Sequence, residues 1–314
     1  MLCFSRKTVA TFFLFLAGNL FAANPPVINF ENILENSFSD SSGQLTFEDY
    51  TVAFAPDPPF NGIAAVVDPA GKVVAKFEFY PDYINSQGVF ARIRTKAIGP
   101  AEVTLTEPGV YTLVFVVSGQ PVTRMPVRLL QTSAGDDPFN PVKTFGFDGY
   151  WRTMAHFTTV TAGRGGLAPE LTLWLGGMDL PPGVNRDMFR VALLRDGKEV
   201  AHSKRTQGVI TNGHFKRRRT FLFHPHTEKE SPNAIVFSLQ DMKTNGAYEV
   251  LVSRVSDGKT IRSYDFNVVN GAITPLPQTV LGYQPATDYI LPRVLKRGTT
   301  SLEMVEAIWI RDGG

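Results

Sequence analysis

Gly109-Val110-Tyr111-Thr112-Leu113-Val114-Phe115-Val116-Val117-Ser118-Gly119 is echoed further along by Gly246-Ala247-Tyr248-Glu249-Val250-Leu251-Val252 and Ser256-Asp257-Gly258-Lys259. These two stretches decide the fold. In each, β-branched and aromatic residues run into a Gly-containing turn, and a second such run follows: Val122 to Leu130 in one case, Ile261 to Val269 in the other. Two hairpins of the same make imply two copies of one unit. The likeness extends upstream. Val66-Val67-Asp68-Pro69-Ala70-Gly71-Lys72-Val73-Val74 is matched by Leu193-Leu194-Arg195-Asp196-Gly197-Lys198-Glu199-Val200, again a hairpin with Asp and Gly at its tip. Further back, Tyr50-Thr51-Val52-Ala53-Phe54 and Leu171-Thr172-Leu173-Trp174-Leu175 alternate as half-buried strands do. Turns at this density, with no amphipathic helix inside either half, point to an all-β chain of antiparallel sandwiches and away from a parallel α/β sheet.

The Gly-x-Tyr that opens a late strand carries a resemblance. Tyr111 after Glu107-Pro108-Gly109, and Tyr248 after Thr244-Asn245-Gly246, resemble the tyrosine corner of immunoglobulin-like and fibronectin type III-like sandwiches. There the hydroxyl folds back onto the backbone a few residues upstream. The resemblance implies fold alone and covers the two halves, not the tail. Because the inter-sheet disulfide of antibody domains is missing, the chain is more similar to cysteine-free bacterial extracellular sandwiches. The expected organisation is a secretory signal over 1–23, a first immunoglobulin-like sandwich over 24–134, a linker over 135–141, a second sandwich over 142–271 and a short C-terminal extension over 272–314.

Arg6 and Lys7, the apolar run Thr11 to Ala17, and Ala22-Ala23 before Asn24-Pro25-Pro26 follow the order of a secretory signal. Export to the periplasm or beyond is therefore expected. The apolar run is shorter than the ~20 residues a bilayer crossing needs, so no transmembrane anchor is expected in the mature chain. The single cysteine, Cys3, leaves with the signal, and burial must stabilise the fold unaided. At 314 residues and 43% apolar composition, two cores of ordinary size are possible. The chain has no Asn-x-Ser/Thr acceptor, which favours a bacterial envelope setting.

Arg6 and Lys7 also account for the whole formal charge of +2, so the mature chain is neutral. Its charge is uneven: residues 24–134 carry an excess of acids and residues 135–271 an excess of bases. The second half is the one that can attract an anion, although opposite signs would equally help the halves dock on each other. Between them, Ser133-Ala134-Gly135-Asp136-Asp137-Pro138-Phe139-Asn140-Pro141 reads as a linker stiffened by proline. Asp136, Asp137 and Asn140 are too few oxygen donors to hold calcium.

The stretch from Gly197 to Gly246 is longer than its counterpart from Gly71 to Gly109, and the excess falls where the composition is most unusual. There stand Lys204-Arg205, then His214-Phe215-Lys216-Arg217-Arg218-Arg219, then His224-Pro225-His226-Thr227-Glu228. A sandwich delegates recognition to loops and edges, since its strands are committed to the core. Lys216, Arg217, Arg218 and Arg219 can form a basic edge for sulfate, phosphate or carboxylate groups, or simply a charged edge strand that resists aggregation. His224 and His226, with His214 or Glu228, offer a metal alternative, which Pro225 weakens by breaking the strand. His156 and His202 read as ordinary sheet residues. Trp151, in Asp148-Gly149-Tyr150-Trp151-Arg152, is the better exposed-aromatic candidate for sugar stacking. Trp174 lies on the opposite parity from its leucine neighbours and, if they are core, faces out, although buried packing is the expected fate of a residue so large and apolar.

Catalytic signatures are missing: no G-x-S-x-G, H-E-x-x-H, P-loop or Rossmann fingerprint is present, and nothing calls for a cofactor. The tail after Pro275-Leu276-Pro277 contains Thr300-Ser301-Leu302-Glu303 before Met304 to Trp309, which admits either a short helix or a strand packed on the second domain. The expected role is a non-catalytic binding or scaffolding protein of the envelope. Its partner would be an envelope protein or an anionic glycan or polymer, and not a nucleic acid. The alternatives are a carbohydrate-active protein using Trp151, and a chaperone-like assembly component.

Overall fold

The computed structural model describes residues 27–28, 44–46, 50–53, 62–84, 90–98, 102–117, 120–133, 143–161, 166–204, 208–212, 216–225, 235–276, 293–297 and 302–312. The signal segment 1–23 and the linker 135–141 lie outside the described residues. Within them the chain is all-β and antiparallel. Its strands are β1 (Val27–Ile28), β2 (Gln44–Thr46), β3 (Tyr50–Ala53), β4 (Gly62–Val67), β5 (Val73–Ile84), β6 (Phe90–Ala97), β7 (Glu102–Thr104), β8 (Gly109–Val117), β9 (Gln120–Ser133) and β10 (Lys143–Asp148). They continue as β11 (Met154–Thr161), β12 (Leu167–Leu175), β13 (Arg186–Arg195), β14 (Lys198–His202), β15 (Val209–Thr211), β16 (Lys216–Phe221), β17 (Gly246–Arg254), β18 (Thr260–Val269), β19 (Ala272–Ile273), β20 (Arg293–Arg297) and β21 (Leu302–Asp312). Among the described residues helix is confined to α1 (Tyr150–Thr153), α2 (Leu239–Met242) and a 3-10 turn at Gly177–Asp179. No helix among the described residues is long and apolar enough to cross a membrane.

The sequence repeat is a repeat of topology. One sheet runs β1-β3-β6-β5-β4-β8-β9-β10 and contains the order β5-β4-β8-β9; the other contains β14-β13-β17-β18. In each copy an Asp/Gly hairpin lays its first strand beside the strand that Gly-x-Tyr opens. Asp196 and Gly197 both take positive φ (50° and 77°), as a two-residue hairpin turn of the right twist requires. Two contacts recur where the phrases meet. The Tyr111 hydroxyl donates to the Glu107 carbonyl at 2.8 Å, and the Tyr248 hydroxyl to the Thr244 carbonyl at 2.9 Å. Burial, helped by the charges of Glu107 and Asp68, raises the Tyr111 pKa, so that hydroxyl keeps its proton as a donor. The glycine two residues before each tyrosine lies under the hairpin tip. A Cβ on Gly109 would meet Pro69 Cγ at 2.5 Å, and one on Gly246 would meet Arg195 Cγ at 2.9 Å.

Alternation then sorts side chains as a pleated strand must. Tyr111, Leu113 and Phe115 of β8 face one core with Met125, Val127 and Leu129 of β9; Tyr248, Val250 and Val252 of β17 face the other with Tyr264, Phe266 and Val268 of β18. Beyond the shared four strands the sheets diverge. β10 adds to the first sheet through β9, pairing Lys143 with Ser133 and Asp148 with Arg128. The second sheet continues β18-β21-β11-β12-β16 and curls into a half-barrel around its core. Beyond β16, Phe223 meets His202 at the end of β14, with backbone hydrogen bonds of 2.8 and 2.9 Å. Helix and strand are both admissible for the tail, and its described residues 293–297 and 302–312 are strand: β21 lies between β18 and β11, inside the second sheet and not beside it.

Replacing either corner tyrosine by phenylalanine should cost about 0.5–1.5 kcal/mol, the net worth of one hydrogen bond. Gly246→Ala should cost more, because the added methyl collides with the hairpin tip. Urea midpoints of Tyr111→Phe, Tyr248→Phe and Gly246→Ala check both statements, and a Gly246→Ala midpoint at or above that of Tyr248→Phe would refute the second.

Candidate functional site

The basic run occupies β16, the last strand in the order of the second sheet, and pairs with β12. Arg217 lies opposite Trp174 and Arg219 opposite Thr172, on the outer parity; Lys216 and Arg218 lie opposite the core residues Leu175 and Leu173. Arg218, on that inward parity and half-buried, donates from Nη2 to the Val209 carbonyl. Lys216 and Arg219 are exposed, Arg217 and Arg218 partly so. Arg219 Nε stands 4.0 Å from Glu170 Oε1. Just beyond the strand, Lys204 Nζ sits 4.9 Å over the Phe223 ring, a cation–π contact that brings a further positive charge to the same region.

His224 follows this strand and is tied to local structure. Its Nε2 donates to Asp241 Oδ2 at 3.1 Å, and its ring packs 5.3 Å from Phe237. Asp241 is the third residue of α2 and closes a capping box: Ser238 N and Oγ donate to Oδ2 at 2.8 and 2.6 Å, and Asp241 N donates back to Ser238 Oγ at 3.2 Å. Burial alone would raise the Asp241 pKa. The Ser238 and His224 hydrogen bonds outweigh it and hold the carboxyl below its ordinary value. Ser238 and His224 thus converge on one carboxylate oxygen, an arrangement in which the imidazole does not address the hydroxyl as a general base would. His226, His214 and Glu228 lie outside the described residues, and among those described no group of His, Cys, Asp and Glu is placed to hold a metal.

Trp151 falls in α1, and its side chain lies outside the described set. Trp174 is fully buried at 0% exposure. Its parity is as the leucine pattern implies: Leu171, Leu173 and Leu175 enter the half-barrel core while the indole turns to the other face. That face is covered too. Trp174 stacks parallel to Trp309 of β21 at 6.1 Å, and His156 of β11 lies 5.8 Å from Trp174 and 4.7 Å from Trp309. An indole so enclosed offers no ring face to a sugar. His156 is a sheet residue as expected, and so is His202, whose Nδ1 lies 2.9 Å from Glu199 Oε1.

Sequence reasoning missed the most highly charged buried site. Asp179, with a side chain at 0% exposure, receives Arg152 Nη2 at 3.1 Å and Arg262 Nη2 at 2.5 Å on Oδ1, and Gly176 N at 2.9 Å on Oδ2. Its carbonyl accepts from Arg254 Nη1 at 3.1 Å, and Arg254 also forks onto Asp257, whose carboxyl is drawn down to about 2 by that pairing. Arg152 is 3.5 Å from Asp148, so three arginines meet Asp148, Asp179 and Asp257. With the charges matched in this way, the cluster is a closed structural network and not an anion receptor. Asp148 and Arg152, and Arg254 and Asp257, are short local pairs, but nothing local announces that they meet Asp179 and Arg262. The cap at α2 did leave a local signal, the Ser238-x-x-Asp241 spelling.

Comparison of the chain with protein families, characterised proteins and solved structures found no match. His224→Ala should raise the Asp241 pKa toward the ordinary carboxylate value. Because a lowered carboxyl stabilises above its unfolded pKa and loses that contribution as pH falls through its folded one, the variant should give up the cap's contribution at a higher pH on acidification. An NMR titration of the Asp241 carboxyl checks the shift, and an unchanged value would remove His224 from the cap.

Proposed function

We propose that this chain is an exported, non-catalytic binding or scaffolding protein of the bacterial cell envelope. On this reading it is built on two tandem immunoglobulin-like sandwiches and contacts an anionic polymer through β16. The observation that carries the proposal is the placement of four consecutive cations on the terminal strand of the second sheet, with Lys216 and Arg219 exposed. Guanidinium groups meet sulfate, phosphate and carboxylate in two-pronged fashion, and successive same-face positions on a strand are about 6.6 Å apart, a spacing that suits a linear polyanion. The immunoglobulin-like reading is supported by the two tyrosine corners and the shared four-strand order. A binding role is favoured over a catalytic one because Ser238, His224 and Asp241 are engaged in a helix cap and Asp179 in an ion network. Of the two tryptophans considered for sugar stacking Trp174 is buried, so the carbohydrate-active alternative rests on Trp151.

The full chain should be retained on heparin, a sulfated polymer, and released by salt. Arg217→Ala/Arg219→Ala should elute earlier and lower the slope of log affinity against log salt by roughly one per arginine. Retention unaltered by that double substitution, or insensitive to salt, overturns the proposal.

A further inference from the structure

We infer that Asp179 closes a conformational lock that holds the strand leaving the first sheet against the second sheet. The inference is independent of what β16 binds. The chain passes from one sheet to the other through β10, α1 and β11, and two contacts fix that passage. The first is a line of charge. Asp148, the last residue of β10, accepts from Gly149 N at 2.9 Å and lies 3.5 Å from Arg152 Nε in α1. The other end of Arg152 reaches Asp179 Oδ1 at 3.1 Å, and the same oxygen takes Arg262 Nη2 of β18 at 2.5 Å. From the edge of the first sheet to the β17–β18 hairpin of the second, the groups are linked without a gap.

The second contact is steric. Phe145 and Phe147 of β10 are buried on one parity, and Gly146 between them is buried on the other. Gly146 faces Met178, the residue before Asp179: a Cβ there would lie 2.3 Å from Met178 Sδ and 2.8 Å from its Cγ. The 3-10 turn that presents Asp179 to the arginines therefore also seats Met178 on the first sheet. Asp179 holds the turn shut through Gly176 N, so charge and packing act on one element. Removing the carboxylate leaves two guanidinia facing a neutral amide in a buried place, which is the costly way to break such a site.

Limited proteolysis and small-angle scattering of the full chain test the lock. Asp179→Asn should speed cleavage within 143–153 by about tenfold or more and enlarge the radius of gyration. Folded Asp179→Asn protein with wild-type cleavage and scattering overturns the inference. Should that variant fail to fold, Arg152→Met cuts only the arm from α1 and keeps Arg262 on Asp179; it should show the same faster cleavage, and wild-type cleavage there equally overturns the lock. Gly146→Ala should loosen the passage in the same assays and Gly146→Ala/Met178→Ala should restore it, whereas absence of rescue removes the packing half of the argument.

Discussion

The repeated four-strand unit of this protein depends on a hairpin tip lying on a glycine. A pair of β-strands alone is marginal in water, and what fixes the second hairpin against the first is the close approach of tip side chains, Pro69 and Arg195, to a bare glycine where Gly-x-Tyr begins. Gly109 and Gly246 permit it, because no side chain fits between backbone and tip. The tyrosine that follows each glycine then ties the incoming turn to the strand by a hydrogen bond to a carbonyl four residues upstream. With those two contacts in place the register of β8 on β4, and of β17 on β13, is set. One residue of slip would move Leu113 and Phe115, or Val250 and Val252, from core to surface.

That constraint explains which parts of the fold were legible in the sequence. Hairpins, the repeat and the inward parity of Leu171, Leu173 and Leu175 rest on residues a few positions apart, and local spelling expresses them. The curl of the second sheet rests on Phe223 meeting His202, and the place of β21 on Ile308 pairing with Phe157, contacts between distant segments that no local pattern announces. The ion network is less legible still. The three arginines lie on a short helix and two strands, and only the folded chain brings Arg152, Arg254 and Arg262 to one aspartate. As for the candidate site, composition located the basic strand, but its division into outward Arg217 and Arg219 and tethered Arg218 required the register with β12.

Burial on both faces is the second organising fact of the later sheet. Strands covered on one side alternate apolar and polar, as β17 does; strands covered on both lose the alternation. β11 and β12 belong to the latter kind, with Met154 to Thr158 and Leu171 to Leu175 buried without a break. On their outer face His156 and Trp174, with Trp309 of β21, form a layer of flat rings, which place much apolar area at little conformational cost. The imidazole joins them through an edge contact with Trp309 and a tilted one with Trp174.

The same geometry bears on why so much positive charge stands on one strand. A terminal strand with an apolar face would pair with any passing edge, and charge is the ordinary protection. Protection alone needs only a cation or two pointing outward, whereas β16 devotes four positions to cations, including two of core parity, one of which donates to a backbone carbonyl. Placing a guanidinium at a core-facing position costs desolvation that the Val209 carbonyl only partly offsets. A sequence that retains that cost is spending stability on local charge density, and density governs salt-dependent capture of a polyanion more than it governs resistance to edge pairing. On the proposed reading the two roles are compatible, because charges that repel a second β edge are the ones that attract an extended anionic chain.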